Sequence, residues 1–170
     1  FHKVLPNMIA SHISIVHDAR GPNNTMHHAE LSGLLAVSEA ARVIQRGAAD
    51  AMLAGGASSQ MHHYDYVRRC VMGILSRRQD DPAAVMRPFD ADRDGQVWGE
   101  GAAVLILEDR CHAEARGARI LARLVGWAAA CEVRFRNNGP QGVGLCRAIE
   151  LALGRAQLDA NRLGHVNAHG

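Results

Sequence analysis

The sequence predicts an α/β fold. A helix-period apolar stripe over residues 31–44 ends at Gly47 and is followed at once by a short apolar run, 51–54, closed by Gly55-Gly56. The alternation returns downstream, where strand-like runs at 101–108, 119–130 and 163–168 are separated by helical patterns at 110–116 and 143–156. Helix, short turn and apolar strand in succession is the rhythm of α/β folds. Length and composition agree: 170 residues suit about one domain with a real core, and 48% hydrophobic with 21% charged residues argues against disorder.

Taken in order, Met8, Ile9, His12, Ile13 and Ile15 recur at near-helical spacing and predict a helix over 6–15. Gly21-Pro22-Asn23-Asn24 is a strong turn signal. Residues 25–28 read as a short strand. The next helix, 31–46, carries Leu31, Leu34, Leu35, Ala41 and Ile44 on one face, with Val37 beside it and the small Ser38 interrupting the stripe. Arg42 and Arg46 suit its C-terminal end, and Gly47 its C′ position. A helix over 62–75, a polar surface loop over 76–98, the strand 101–108 and a short helix 110–116 stopped by Gly117 follow. Residues 119–130 predict a second long strand, 137–142 a loop, and 143–156 an amphipathic helix with Leu145, Ile149, Ala152 and Leu153 on one side.

Charge and hydropathy exclude several classes. A net charge of +2 with pI ≈ 8.5 is too mild for a dedicated nucleic-acid binder, and the arginines are scattered among acids. No run of about 18 apolar residues predicts a membrane span. Cys70, Cys111, Cys131 and Cys146 form no CxxC and no zinc pattern, so they read as reduced, mostly packed thiols of a cytoplasmic protein. The chain begins at Phe1 without a basic-then-apolar leader and closes at His169-Gly170 directly after an apolar run; this reads as a piece of a longer protein.

Three groups of residues raise functional questions. Asp90, Asp92, Asp94 and Gly95 imitate the start of a calcium loop, but position 12 from Asp90 is Gly101 and Glu100 falls one residue short. The adjacent pairs His27-His28 and His62-His63 diverge on a helix or a strand, and His165 and His169 would lie about 13 Å apart on one. No metal is expected from them. No P-loop and no GxGxxG follows a strand, so no cofactor is expected either. Glu30 lies at the junction of the 25–28 segment and the helix beginning at 31, where free backbone N–H groups and the helix dipole stabilise an anion. Local pattern alone reads it as an ordinary acid of a first helical turn.

Five segments together carry a family resemblance. Gly21-Pro22-Asn23-Asn24-Thr25 resembles the GPN turn of the β-ketoacyl synthases, the thiolase-fold condensing enzymes that work on acyl carrier protein. Residues 44–56, Ile-Gln-Arg-Gly-Ala-Ala-Asp-Ala-Met-Leu-Ala-Gly-Gly, resemble that family's helix-to-strand stretch. Leu75-Ser76-Arg77-Arg78 with Arg87-Pro88-Phe89-Asp90-Ala91-Asp92-Arg93-Asp94-Gly95 resembles its LSxR…RPFDxxRDG loop. Gly99-Glu100-Gly101-Ala102 matches GEGA, and Val166-Asn167-Ala168-His169-Gly170 resembles NAHGT, cut after the glycine. Order and spacing fit throughout.

The resemblance implies a thiolase-like layered α/β fold, incomplete here, with residues 1–108 part of the N-terminal half and 109–170 the start of the C-terminal half. It implies decarboxylative condensation of acyl and malonyl thioesters on acyl carrier protein, in fatty-acid or polyketide synthesis. In such enzymes a Cys at a helix N-terminus takes the acyl group, and two histidines promote malonyl decarboxylation and steady the developing charge. On this mapping His169 is the first histidine; the second histidine motif is not in this chain. The nucleophile's place within 21–33, Gly-Pro-Asn-Asn-Thr-Met-His-His-Ala-Glu-Leu-Ser-Gly, holds Glu30. Condensation is therefore expected to be impaired. The alternatives are a non-catalytic partner subunit, like a chain-length factor, or a malonyl-carrier decarboxylase, both known for relatives with Gln in that place. A homodimer, or a heterodimer with another ketosynthase subunit, is implied through the 25–28 strand. Asp94 and Glu100 read as structural supports of their loops.

Overall fold

A computed structural model describes residues 5–59, 61–133 and 141–168. Five α-helices and two strands follow in chain order: α1 Met8–Val16, α2 Ser32–Gln45, β1 Ala51–Ser59, α3 His63–Met72, β2 Glu100–Glu108, α4 Arg110–Ala115 and α5 Val143–Ala156. Single 3-10 turns stand at Ala29–Leu31, Pro82–Ala84 and Ala160–Arg162.

The helices form where periodicity and breakers place them. Gly73 (φ 66°) and Gly117 (φ 69°) take the left-handed conformation that ends α3 and lies just beyond α4. Asp109 caps α4 by accepting from the N–H groups of Cys111 (2.9 Å) and His112 (3.2 Å). Asn23, the Asn of the GPN turn, donates from Nδ2 to the carbonyl of Ala10 (3.2 Å) and the hydroxyl of Ser14 (3.0 Å), pinning the turn to α1.

β1 and β2 pair with each other. Asp109 N–H donates to the Asp50 carbonyl (2.8 Å) at one end, and Ser59 Oγ donates to Glu100 Oε2 (2.6 Å) at the other, so the strands run antiparallel. β1 is longer than the expected 51–54, because the small residues Gly55 to Ser59 continue the pairing. The described residues form two units that interleave in sequence.

The first unit, Phe1–Gly55 with Val104–Val166, contains α1, α2, α4, α5 and the Asp50 end of the ladder. Its buried residues are small: Ala40, Ala41, Val43 and Ser38 on α2, Ala54 on β1, Ala113 on α4 and Gly144 on α5. Residues 126–132 run against α5. Arg155 donates to the Trp127 carbonyl (2.6 Å), and Glu132 accepts from Gln141 N–H (2.6 Å) and Gly144 N–H (3.1 Å), covering the α5 N-terminus. Glu108, one-tenth exposed, accepts two bonds from Arg116 (2.7 Å each) and approaches His112 Nδ1 at 2.5 Å. The Arg116 bonds first, then the His112 bond, draw its carboxyl down from 4.5 to about 2.

The second unit, Gly56–Ala103 with Asn167–Gly170, contains α3 and the polar loop. Leu75 and Gln96 form an isolated parallel bridge, supported by Ser76 N–H to Gln96 O (3.0 Å) and Gln96 N–H to Ile74 O (2.9 Å). Arg69 lies 3.4 Å over the Trp98 ring.

Several expectations are corrected. Residues 25–28, 119–130 and 163–168 are not strands. Among the described residues β1 and β2 pair only with each other, and those three segments have no strand-pairing partner. The leading residues of the α2 stripe are not its buried face. Leu31 and Leu34 stand exposed at the N-terminal turn, while the small residues Ala40 and Ala41 turn inward. All four cysteines are free and exposed rather than packed, since the buried positions are held almost wholly by alanine and valine. Residues 137–140 of the expected loop lie outside the described residues. The accessible surface, 13928 Å², is well above the roughly 8,100 Å² typical of a folded monomer of this mass.

Two predictions follow from this packing. A Cβ at Gly126 would collide with the Ala152 carbonyl oxygen. Gly126→Ala should therefore cost about 1–3 kcal/mol by overpacking, read as a lowered midpoint in urea unfolding. Because Glu108 titrates lower folded than unfolded, its contribution is present above pH 4.5 and is lost as pH falls toward 2. Glu108→Gln should make the variant's stability flatter than the parent's across that window, measured by urea midpoints at stepped pH.

Candidate functional site

Glu30 sits in the middle of the 3-10 turn Ala29–Leu31, which runs directly into α2. It therefore stands one short turn ahead of the helix, not within its first α-helical turn. The backbone reaches this point in an uncommon conformation. Ala29 has φ 48°, a left-handed geometry that costs a residue with a Cβ on the order of 1 kcal/mol. Leu31 N–H donates to the His28 carbonyl (3.1 Å). Ser32 bonds to both sides of the turn: its hydroxyl accepts from His28 N–H (2.8 Å) and donates to the Ala29 carbonyl (2.7 Å).

The Glu30 side chain is exposed, and among the described residues it has no hydrogen-bond or ion-pair partner. His27 and His28 are exposed beside it. α2 has no side-chain cap; its first N–H, that of Ser32, is taken by the Ala29 carbonyl, and what the helix start offers an anion is the positive end of its dipole. An exposed acid at a helix tip can accept protons and hydrogen bonds and repel other anions. It is a poor nucleophile toward a thioester, because the acyl product would be a labile anhydride.

His169, the other candidate, lies outside the described residues. His165 and Ala168, which precede it, are exposed in irregular backbone.

Asp94 and Glu100 do structural work. Asp94 Oδ1 accepts from Ser76 Oγ (2.7 Å) and Oδ2 from Arg77 N–H (3.0 Å), which together hold its carboxyl below the ordinary range. Glu100 closes the β1–β2 end through Ser59. Asp90 Oδ1 accepts from Asp92 N–H (2.7 Å), a local turn bond that directs the carboxylate back to its own loop. Among the described residues no three His, Cys, Asp or Glu side chains converge. No described helix is long and apolar enough to cross a membrane.

The sequence reading missed two features of this region. Ser32 carried no signal beyond being a hydroxyl residue at a helix start, the type that bonds local backbone. The positive φ at Ala29 carried none, since Gly or Asn is the usual occupant of such a position.

Comparison with known proteins places these residues in a known setting. The family described as "Beta-ketoacyl synthase, N-terminal domain" matches residues 1–113. The 3-oxoacyl-[acyl-carrier-protein] synthase 2 of Vibrio cholerae is 40% identical over 165 residues, covering 96% of this chain and 40% of that protein. A β-ketoacyl synthase from Burkholderia phymatum superposes with a TM-score of 0.89 at 39% identity, covering 98% of this chain and 40% of its own. AntDE:AntF, a type II PKS acyl-carrier protein in complex with its ketosynthase bound to the hexaketide, superposes with a TM-score of 0.84 at 32% identity, over 89% of this chain and 38% of that one. The chain thus spans about 40% of the length of the curated relatives it matches. The superpositions establish a thiolase-like ketosynthase fold for the part present.

Proposed function

The chain belongs to the β-ketoacyl synthase family, and on that premise we propose that its protein is a ketosynthase-like component of fatty-acid or polyketide synthesis in which ordinary condensation is impaired. Residues 1–108 form part of the N-terminal ketosynthase half and 109–170 begin the C-terminal half. The protein meets carrier-bound acyl and malonyl thioesters in the cytoplasm, without metal or cofactor, as a homodimer or beside another ketosynthase subunit. The kinship with fatty-acid synthases and with a carrier-bound type II PKS ketosynthase supports the substrate class.

One observation carries the impairment: Glu30 occupies the tip of α2 after the GPN turn, and the first cysteine of the chain is Cys70. A thiol at that tip would be favoured as thiolate by the helix N-terminus and would attack a carrier thioester. The C–S bond of the thioester would break as the new one forms, and the carrier thiol would leave. Glu30 offers a weaker nucleophile and a standing negative charge. That charge opposes both the oxyanion of acyl transfer and the approach of a malonyl carboxylate. His169 retains the role that the resemblance implies, steadying negative charge on the malonyl-derived group.

The same observation favours a second reading. A ketosynthase fold that cannot load acyl groups can still decarboxylate malonyl carrier protein, or can act as a silent partner of a subunit that retains Cys.

The discriminating experiment uses the full-length protein and its E30C variant, incubated with acyl-carrier and malonyl-carrier thioesters. Intact mass should show no acyl adduct on the parent, and E30C should gain loading by at least about tenfold. Acyl adduct on Glu30 of the parent would overturn the impairment. Carbon dioxide release by the parent without loading would mark the decarboxylase. Silence of both proteins, together with restored condensation when a Cys-bearing synthase subunit is added, would mark the partner.

A further inference from the structure

We propose that Ser32 is the positioning residue of this site, its hydroxyl fixing the direction in which residue 30 is presented. The inference rests on the reading of residue 30 as the reactive place of the family. The Ser32 hydroxyl joins the two residues before Glu30 to the first residue of α2, accepting from His28 N–H at 2.8 Å and donating to the Ala29 carbonyl at 2.7 Å. Those bonds span the one residue of the turn that is left-handed, Ala29 at φ 48°.

A left-handed residue with a Cβ persists only where its neighbours over-determine it. Leu31 N–H to the His28 carbonyl closes the turn from the backbone side. The Ser32 hydroxyl closes it from the helix side. Without the hydroxyl, His28 N–H loses its acceptor and the Ala29 carbonyl keeps only the Ser32 N–H, so the turn is held by backbone bonds alone and its left-handed residue is less tightly fixed. The Cα–Cβ vector of residue 30 would then sample several directions. Neither bond involves the residue 30 side chain, so the device works whether that side chain is an acid or a thiol. A threonine keeps the hydroxyl and should keep the geometry, whereas an alanine should lose it.

The test uses the full-length protein carrying E30C, whose new thiol reports its own presentation. Iodoacetamide alkylation is followed at pH 7 by mass spectrometry of the peptide containing residue 30, which separates it from the four native cysteines. The pairing with S32A should slow alkylation at residue 30 at least about tenfold, and the pairing with S32T should stay within about threefold of E30C alone. The alkylation rate at Cys146 and the far-UV circular dichroism should be the same in all three proteins. An E30C rate indifferent to S32A, or an S32T rate as slow as that of S32A, overturns the role given to Ser32. A rate slowed equally at Cys146 also overturns it, since the loss would then be general unfolding. An E30C thiol no faster than Cys146 overturns the underlying reading of residue 30 and this inference with it.

Discussion

The pairing of β1 with β2 is the constraint on which the described structure depends. It joins residues some fifty positions apart, from Asp50 with Asp109 at one end to Ser59 with Glu100 at the other. β1 is entered from α2 and β2 leads into α4, so the ladder fixes where both helices attach. Two strands alone are marginal in water. Here the side chains at both ends support the pair. Ser59 bonds Glu100, while Asp109 caps α4, and Glu108 binds His112 on that helix and Arg116 at its C-terminal end. The acids at the ladder ends thus belong to its architecture, which leaves Glu30 as the acid whose placement raises a chemical question.

That question is one of charge at a helix tip. Backbone N–H groups without partners favour any anion, and they do so for a thiolate, a carboxylate or an oxyanion alike. A thiolate there is consumed when it attacks, so the field passes to the oxyanion that forms. A carboxylate remains. On the proposed reading, the protein keeps the GPN turn, the left-handed alanine and the Ser32 hydroxyl bonds of a nucleophile's scaffold and places a carboxylate at its apex. Scaffold and reactive atom are thus separable, and the fold alone does not fix the chemistry.

Much of this was legible in the amino-acid order, because its signals are local. Helix α5 matches its apolar period over 143–156, and Gly73 and Gly117 mark helix ends by conformational freedom alone. The three absent strands were illegible for the opposite reason. Residues 119–130 have strand composition, but a strand exists only through a neighbour, and composition does not say which segment that is. Ala41 faces inward as its spacing predicts, but Leu31 and Leu34 do not: they are more apolar than the buried Ala40, while close approach selects for small size. Glu30 could be singled out in the sequence because a motif aligned it. Ser32 could not, since its effect lies in two hydrogen bonds across a turn whose backbone geometry no residue type announced.

The bare flank of β2 carries a further consequence for biosynthesis. Val104, Leu105 and Ile106 lie exposed in succession, within a stretch free of charge and proline from Gly101 to Leu107. Such a stretch can self-associate into cross-β aggregates wherever it is left uncovered during synthesis. Glu100 and Glu108 bracket it, one on either side. They are gatekeepers as well as braces, so neutralising either would raise the hazard to the nascent chain before any defect in the finished protein could be seen.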